Sequence, residues 1–329
     1  MKGFVTMHSA LWWRDFEFQD GVVTVKQTGA QLRLEPGLIG EVLSWFPFYI
    51  VMEAWRIKAK AQAKDQPGPS ICFVPQRPRP WYLIWSVLHA GGARITNNPA
   101  DADAVFYFDD NTTPPHAYDS STSPTINKHC CSIEKSHVAE VFEECFGYSL
   151  AVDPMNWNGK MVEKSETNGA HDGRVIEGPC PAVPGKVYQR LIDNTISGDL
   201  VEDIRCPSIG GNIPLIIYKR RPRDERFSNS NTAVEIAETS DVLSEQELEQ
   251  LTRFTTAMQL DWGSMDVLRD RDDGRLYVVD VNKTDMGPPV CMNLDDKIEV
   301  TKRLAAAFTD YLGSDAFNSG THNAGASAA

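Results

Sequence analysis

LDWGSMDVLRDRDDGRLYVVDVNKTDMGPP, residues 260–289, contains two apolar β-like runs, 265–268 and 276–281, around the turn Arg271-Asp272-Asp273-Gly274. Each run carries one aspartate among apolar neighbours, Asp266 in the first and Asp280 in the second. Asn282 follows two residues after Asp280, so strand alternation points both side chains to one face. Two carboxylates and an amide oxygen on adjacent strands make an oxygen-only site. Such a site suits Mg²⁺ or Mn²⁺, completed by water and substrate phosphates. The leading expectation is a nucleotide-using enzyme.

Working outward, the whole chain has 329 residues, 42% of them hydrophobic and 23% charged, which is enough for two or three subdomains of a soluble protein. A formal net charge of -13 argues against general nucleic-acid affinity, because phosphate backbones need a Lys/Arg surplus. Seven cysteines, odd in number and without CxxC spacing, read as reduced thiols. The first residues lack a basic start, an apolar block and a cleavage site, which predicts a cytoplasmic chain. The apolar segment 38–55 is interrupted by Glu41, Pro47 and Glu53 and followed by Arg56, Lys58, Lys60 and Lys64. A spanning helix wants about 20 largely uncharged residues. This segment is therefore expected to be a buried or dimer-forming element, with peripheral membrane contact the alternative.

Before residue 65 there are short β-like pieces at 21–25 and 31–34, then the aromatic segment and a basic helix; 66–70 reads as a linker. Strands at 71–74 and 104–108 bracket a helix over 81–90, the β-α-β order of an open α/β layer. Residues 133–146 carry an amphipathic stripe ended by Gly147. Short strands follow at 161–164, 174–177 and 187–192, with a further hairpin around Gly210-Gly211. Ser244-Glu245-Gln246-Glu247 is a capping box opening a helix to about 259, and a last helix spans 295–312.

Other polar groups fall where a nucleotide cleft would use them. Lys164 ends an apolar strand and precedes a loop, 165–173, that contains Gly169 and Gly173. A lysine beside such a loop neutralises phosphate oxygens while backbone N–H groups close over them, although any hairpin can contain these residues. Asp203 and Arg205 sit two apart on one strand face, suited to a ribose and to a phosphate or carboxylate; a surface ion pair is the plainer alternative. Arg220, Arg221, Arg223 and Arg226 form a local basic cluster that suits an anionic substrate, or else a solvated loop.

Taken in order, DIR at 203–205, KRRP from Lys219, SNSN from Ser228, the acid-capped helix, SMDVLRD and VVDVNKT resemble the ATP-grasp superfamily, most closely the RimK-type glutamate ligases. D-alanine–D-alanine ligases share the same ending in looser form. The resemblance covers roughly residues 125–312. It implies an α/β chain, α+β in its C-terminal part, with the ATP-grasp fold behind an N-terminal Rossmann-like layer and an extra N-terminal segment. The implied domains are an extension at 1–65, a pre-ATP-grasp domain at 66–125 and an ATP-grasp domain at 126–312. The last would divide into a small ATP-binding subdomain, 126–192, and a metal/substrate subdomain, 193–312, leaving a disordered tail at 313–329.

The resemblance also implies roles. Lys135 and Lys164 would be the ATP lysines, with Gly169 and Gly173 in the loop over the phosphates. Gln189, Arg190 and Leu191 would form the hinge whose backbone meets adenine, and Asp203 the ribose-binding acid. Asp266, Asp280 and Asn282 would hold Mg²⁺, and Arg205 and Arg221 would stabilise the transferring phosphoryl group or bind the acid. The chain departs from the family pattern at three places: Arg190 replaces a hinge glutamate, Asp280 replaces a glutamate, and loop 165–173 lacks the Lys-Pro start and dense glycines. The expected activity is an ATP- and Mg²⁺-dependent carboxylate–amine ligase working through an acylphosphate. Its partners would be a small-molecule or peptide carboxylate and an amine, with His171 a candidate base. The alternatives are a phosphotransferase on the same fold and a catalytically weak ATP-binding scaffold docked through 38–55.

Overall fold

The computed structural model describes residues 12–26, 31–33, 36–62, 65, 67–113, 124–170, 172–228 and 230–318. His171 and the terminal residues 319–329 lie outside this set. At the N-terminus, β1 (Phe16–Gln19), β2 (Val22–Val25) and β3 (Gln31–Arg33) form an antiparallel meander, followed by the helix α1 (Pro36–Gln62). The aromatic segment and the basic helix expected after it are thus one helix of 27 residues that continues through Pro47. Its inner side buries Phe48 and Met52 against Trp85, with Trp45, Tyr49 and Trp55 around them. Among the described residues no helix is long and apolar enough to cross a membrane.

The α/β layer consists of β4 (Ser70–Pro75), α2 (Leu83–Ala90), β5 (Arg94–Thr96), β6 (Ala104–Phe108) and β7 (Thr125–Ile126). Its four strands are parallel in the order β5-β4-β6-β7. All five residues of β6 are buried, so this strand reads as a continuous apolar run rather than an alternating one.

Next comes α3 (Lys135–Phe146), stopped by Gly147 in the left-handed conformation at φ 78°. The strands β8 (Gly159–Ser165), β9 (Arg174–Gly178) and β10 (Lys186–Arg190) then form a small antiparallel sheet ordered β10-β8-β9. The remaining elements are β11 (Thr195–Ile196), β12 (Leu200–Ile209), β13 (Ile216–Pro222), β14 (Ala233–Ala237), α4 (Thr239–Val242), α5 (Glu245–Ala257), β15 (Trp262–Arg269), β16 (Leu276–Asn282), α6 (Leu294–Gly313) and α7 (Asp315–Asn318). The larger antiparallel sheet runs β14-β13-β12-β15-β16, with β11 added beside β12. The capping box forms at Ser244 and Glu247 as expected, and α5 buries Leu251 and Phe254. The polar tail begins later than residue 313, because Phe317 of α7 is buried and packs on Tyr311 at 4.9 Å between ring centres.

Two features of this frame position the site. First, the β15–β16 ladder contains a bulge: Val267 pairs with Val278 and Asp266 with Asp280, leaving Val279 as the extra residue. Second, the N-terminal layer is bonded to both ends of that hairpin. Asn127 donates its backbone N–H to the Asp261 carboxylate (2.7 Å), and its Oδ1 accepts from the backbone of Asp261 (2.9 Å) and Trp262 (3.0 Å). Beyond β16, the Leu83 N–H bonds to the Asp285 carbonyl (2.8 Å) and the Gly287 N–H to the Trp81 carbonyl (2.7 Å).

Candidate active site

Register alone assembles one face of the large sheet. Asp266 lies opposite both Arg205 and Asp280, Ser264 opposite Asn282, and Asp203 opposite Lys219. Paired residues share a face and alternate positions repeat it. Asp203, Arg205, Lys219, Arg221, Ser264, Asp266, Asp280 and Asn282 therefore project together. Val267, Val278 and Val281 project to the other side, where they are fully buried.

The charges on this face are interlocked. Lys219 Nζ donates to Asp266 Oδ1 at 2.9 Å, and the Arg205 guanidinium Nη1 stands 3.8 Å from the same oxygen. Arg205 also donates to the Asp285 carboxylate and, through Nε, to Ser264 Oγ at 3.0 Å; Ser264 in turn donates to Asp285 Oδ1 at 2.8 Å. Burial works against the Arg205 charge, but Asp285 and Asp266 outweigh it and hold its pKa above the ordinary value. Burial likewise works to raise Asp266, and Lys219 followed by Arg205 overcome it, keeping this carboxylate well below the usual range.

Asp280 is different. Burial pushes its pKa up despite Lys135 and Lys164. Its Oδ1 is buried without a hydrogen-bond donor among the described residues, and Lys135 Nζ stands 3.8 Å away. Asn282 Oδ1 accepts from the Thr284 N–H at 2.9 Å. Among the described residues no three His, Cys, Asp or Glu side chains cluster as a metal site, so a cation here would rest on two carboxylates and one amide oxygen. That donor set fits Mg²⁺: it is all oxygen, and one carboxylate oxygen is desolvated with no donor to satisfy it.

Two lysines face this constellation from α3 and the small sheet. Lys135, in the first turn of α3, donates to the Thr167 carbonyl at 3.2 Å; Lys164, near the end of β8, donates to the bulge carbonyl of Val279 at 3.3 Å. Burial lowers the Lys164 pKa to about 8. The loop between β8 and β9 turns through Gly169 at φ 71°, and Gly173 passes so close to the Phe227 ring that an added Cβ would lie 2.7 Å from it. The loop is also tied to α3 by Glu166, which accepts from the Ser136 N–H at 3.1 Å.

At the hinge, Gln189 lies opposite Val162, on the Lys164 side of the small sheet, and its buried Nε2 has no partner. Arg190 has the opposite parity and sends its guanidinium over the Trp157 and Tyr277 rings, 6.0 and 5.8 Å from their centres. Leu191 follows β10, half-buried. Arg221 is held through its two terminal nitrogens, which bond Asp203, the Ser228 carbonyl at 2.7 Å and the Arg226 carbonyl at 3.3 Å, while its buried Nε has no hydrogen-bond partner among the described residues. Asn194 also donates to Asp203 at 3.1 Å, and burial raises the Asp203 pKa. The structure thus brings Lys135, Lys164, Asp203, Arg205, Asp266, Asp280 and Asn282 into one charged cluster, whereas the Arg190 side chain faces away and Arg221 is held by Asp203.

Lys219, Ser264 and Asp285 were missed by the sequence reading. Lys219 and Ser264 each lie two positions from an expected residue, on the same strand, so alternation was a sufficient signal. Asp285 lies in a loop, and no periodicity points to it.

No family model matches the chain, and no curated protein matches it in sequence. Solved structures do. The ATP-grasp ligase PsnB, in complex with precursor peptide PsnA2 and AMPPNP, superposes at TM-score 0.50 and 12% identity, over 75% of this chain and 99% of PsnB. A RimK-domain ATP-grasp protein of Sphaerobacter thermophilus (TM-score 0.44, 13% identity, 74% of this chain and 100% of that one) gives a weaker match. So does an L-amino acid ligase of Bacillus licheniformis (TM-score 0.43, 11% identity, 75% of each chain). At such identities the likeness concerns architecture, and on the PsnB superposition together with the small and large antiparallel sheets, this chain has the ATP-grasp fold.

Proposed function

We propose that the protein is an ATP-dependent carboxylate–amine ligase. The observation that carries this reading is the face shared by Asp266, Asp280 and Asn282, with Lys135 and Lys164 opposite and one Asp280 oxygen buried without a hydrogen bond. Mg²⁺ held by those three side chains would neutralise phosphate charge. Lys135 and Lys164 bind the phosphate oxygens of ATP, under the loop that contains Gly169 and Gly173. Hinge residues 189–191 border the base, with the unsatisfied Gln189 amide a donor toward it, and Asp203 is the acid beside the ribose.

Arg205, fixed by Asp285 and Ser264, holds the substrate carboxylate in line with the γ-phosphorus; Arg221 acts through Asp203 and the 226–228 loop. A carboxylate oxygen attacks the γ-phosphorus, the bond to the β-phosphate oxygen breaks, and ADP leaves. The amine nitrogen then attacks the acyl carbon, loses a proton, and expels phosphate. The protein's contribution is positioning and fixed charge. A peptide carboxylate is the first acid to screen, since the same fold in PsnB is complexed with a precursor peptide.

Incubation with Mg²⁺, ATP, an acid panel and hydroxylamine tests the proposal. The expected result is acid-dependent ADP release with a stoichiometric hydroxamate. ADP release with phosphate transferred to a hydroxyl or histidine, and no hydroxamate from any acid that stimulates turnover, would overturn it in favour of a phosphotransferase.

A further inference from the structure

The outer side of α1 is not covered. Val42, Leu43, Phe46, Ile50 and Ile57 are 55%, 65%, 53%, 56% and 63% exposed, although they share a helix with the buried Phe48 and Met52. Single exposed aliphatic residues need no explanation, whereas a contiguous stripe of them marks an interaction surface. We propose that this stripe is the contact surface of a homodimer, in which two copies of the chain pack α1 against α1 in antiparallel fashion about a two-fold axis at Ile50.

The spacing is that of a helix–helix seam. Leu43, Ile50 and Ile57 recur every seven residues, and Phe46 falls three after Leu43, the positions that interlock in paired helices. In an antiparallel pair centred on Ile50, Leu43 meets Ile57 of the second copy and Phe46 meets the small, exposed Ala54. A bulky ring opposite an alanine, repeated by symmetry, is the self-complementarity an isologous interface requires. The size is also appropriate: about half of five large side chains is on the order of 500 Å² per copy, so two copies bury roughly 1,000 Å², the lower end for a specific interface. An anionic membrane surface is a poorer occupant, because a chain with net charge -13 is repelled from it as a whole.

Sedimentation velocity of the full-length protein over about 1–100 µM tests this. The expected species has twice the chain mass at the upper end, and Ile50→Glu, at an exposed position, returns it to a monomer with unchanged circular dichroism. Under mild oxidation Ile50→Cys cross-links to itself. Leu43→Cys and Ile57→Cys cross-link only when mixed, against the parent chain as the control for its exposed Cys131 and Cys291. A monomer throughout the range, a dimer that survives Ile50→Glu, or self-cross-linking of Leu43→Cys beyond that control would overturn the proposal. So would a monomer that floats with phosphatidylserine vesicles. None of these readouts involves nucleotide, so the result stands apart from the catalytic reading.

Discussion

Replacing Asp280 by asparagine should have opposite effects on the ligand-free and the liganded protein. In the ligand-free fold the Asp280 carboxylate is a cost: one oxygen is buried without a donor, and burial outweighs Lys135 and Lys164 in setting its pKa. Asparagine keeps the oxygen but removes the desolvated charge, which should stabilise the fold by about 1 kcal/mol, the low end of the cost of burying a polar group without a hydrogen bond. For a chain of this length that corresponds to a rise in Tm of about 2 °C. A ligand at a hundredfold excess over its Kd stabilises by about 2.7 kcal/mol, or roughly 5 °C. Wild type should gain that with Mg²⁺ and ATP together, and Asp280→Asn should gain almost nothing. The melting order of the two proteins therefore reverses between buffer and Mg²⁺·ATP, which one thermal-shift plate can read. A variant that keeps the Mg²⁺-dependent rise refutes the metal assignment. A ligand-free variant melting several degrees below wild type refutes the charge balance, because it means that Asp280 is satisfied in a way its geometry does not show.

Other substitutions probe the neighbouring charges. Because the folded Lys164 has a pKa of about 8, below its ordinary value, its ammonium is fully present at pH 7 and largely lost by pH 9. Nucleotide affinity should fall about tenfold across that interval, one decade per unit above the pKa. Lys164→Arg should flatten the profile; an unchanged slope in that variant assigns the titration elsewhere. The same shift means that Lys164 destabilises the fold most below pH 8, and that this cost is relieved between pH 8 and its unfolded value. Asp285→Ala should cost about 2 kcal/mol in urea unfolding, because it removes the nearer of two counter-charges, and a charged hydrogen bond, from a half-buried arginine. A loss under 1 kcal/mol would show that Arg205 does not depend on this anchor.

Much of the architecture could be read from local pattern. The run 104–108 is a strand buried on both faces, Gly147 ends α3, and the Ser244 box opens α5 where its residue types require. Asp266 and Asp280, with Asn282 two residues on, were readable as a candidate site because acids inside apolar strands stand out from their neighbours. What could not be read depended on parity or on contacts distant in sequence. Arg190 was expected at the hinge, but only the pairing of β10 with β8 shows that its side chain leaves the Gln189 face for Trp157 and Tyr277. Asp285 becomes important only when the loop after β16 closes on Arg205, 80 residues away. Pro47 suggested a break, yet α1 runs through it, held on its inner side by Phe48, Met52 and Trp85.

The extra residue at Val279 acts as a frame shift within one strand. Plain alternation would place Leu276, Val278, Asp280 and Asn282 on the same side, forcing either the two aliphatic residues into the cleft or the two polar ones into the core. With one residue unpaired, Leu276 and Val278 keep the buried side while Asp280 and Asn282 take the cleft. The hairpin should therefore tolerate changes of length very unevenly. Residues added in the exposed turn at 271–274 leave both sides intact, and loss of Val279 would leave a regular ladder with the same two sides, whereas deleting a paired residue such as Val281 would turn Asn282 toward the core.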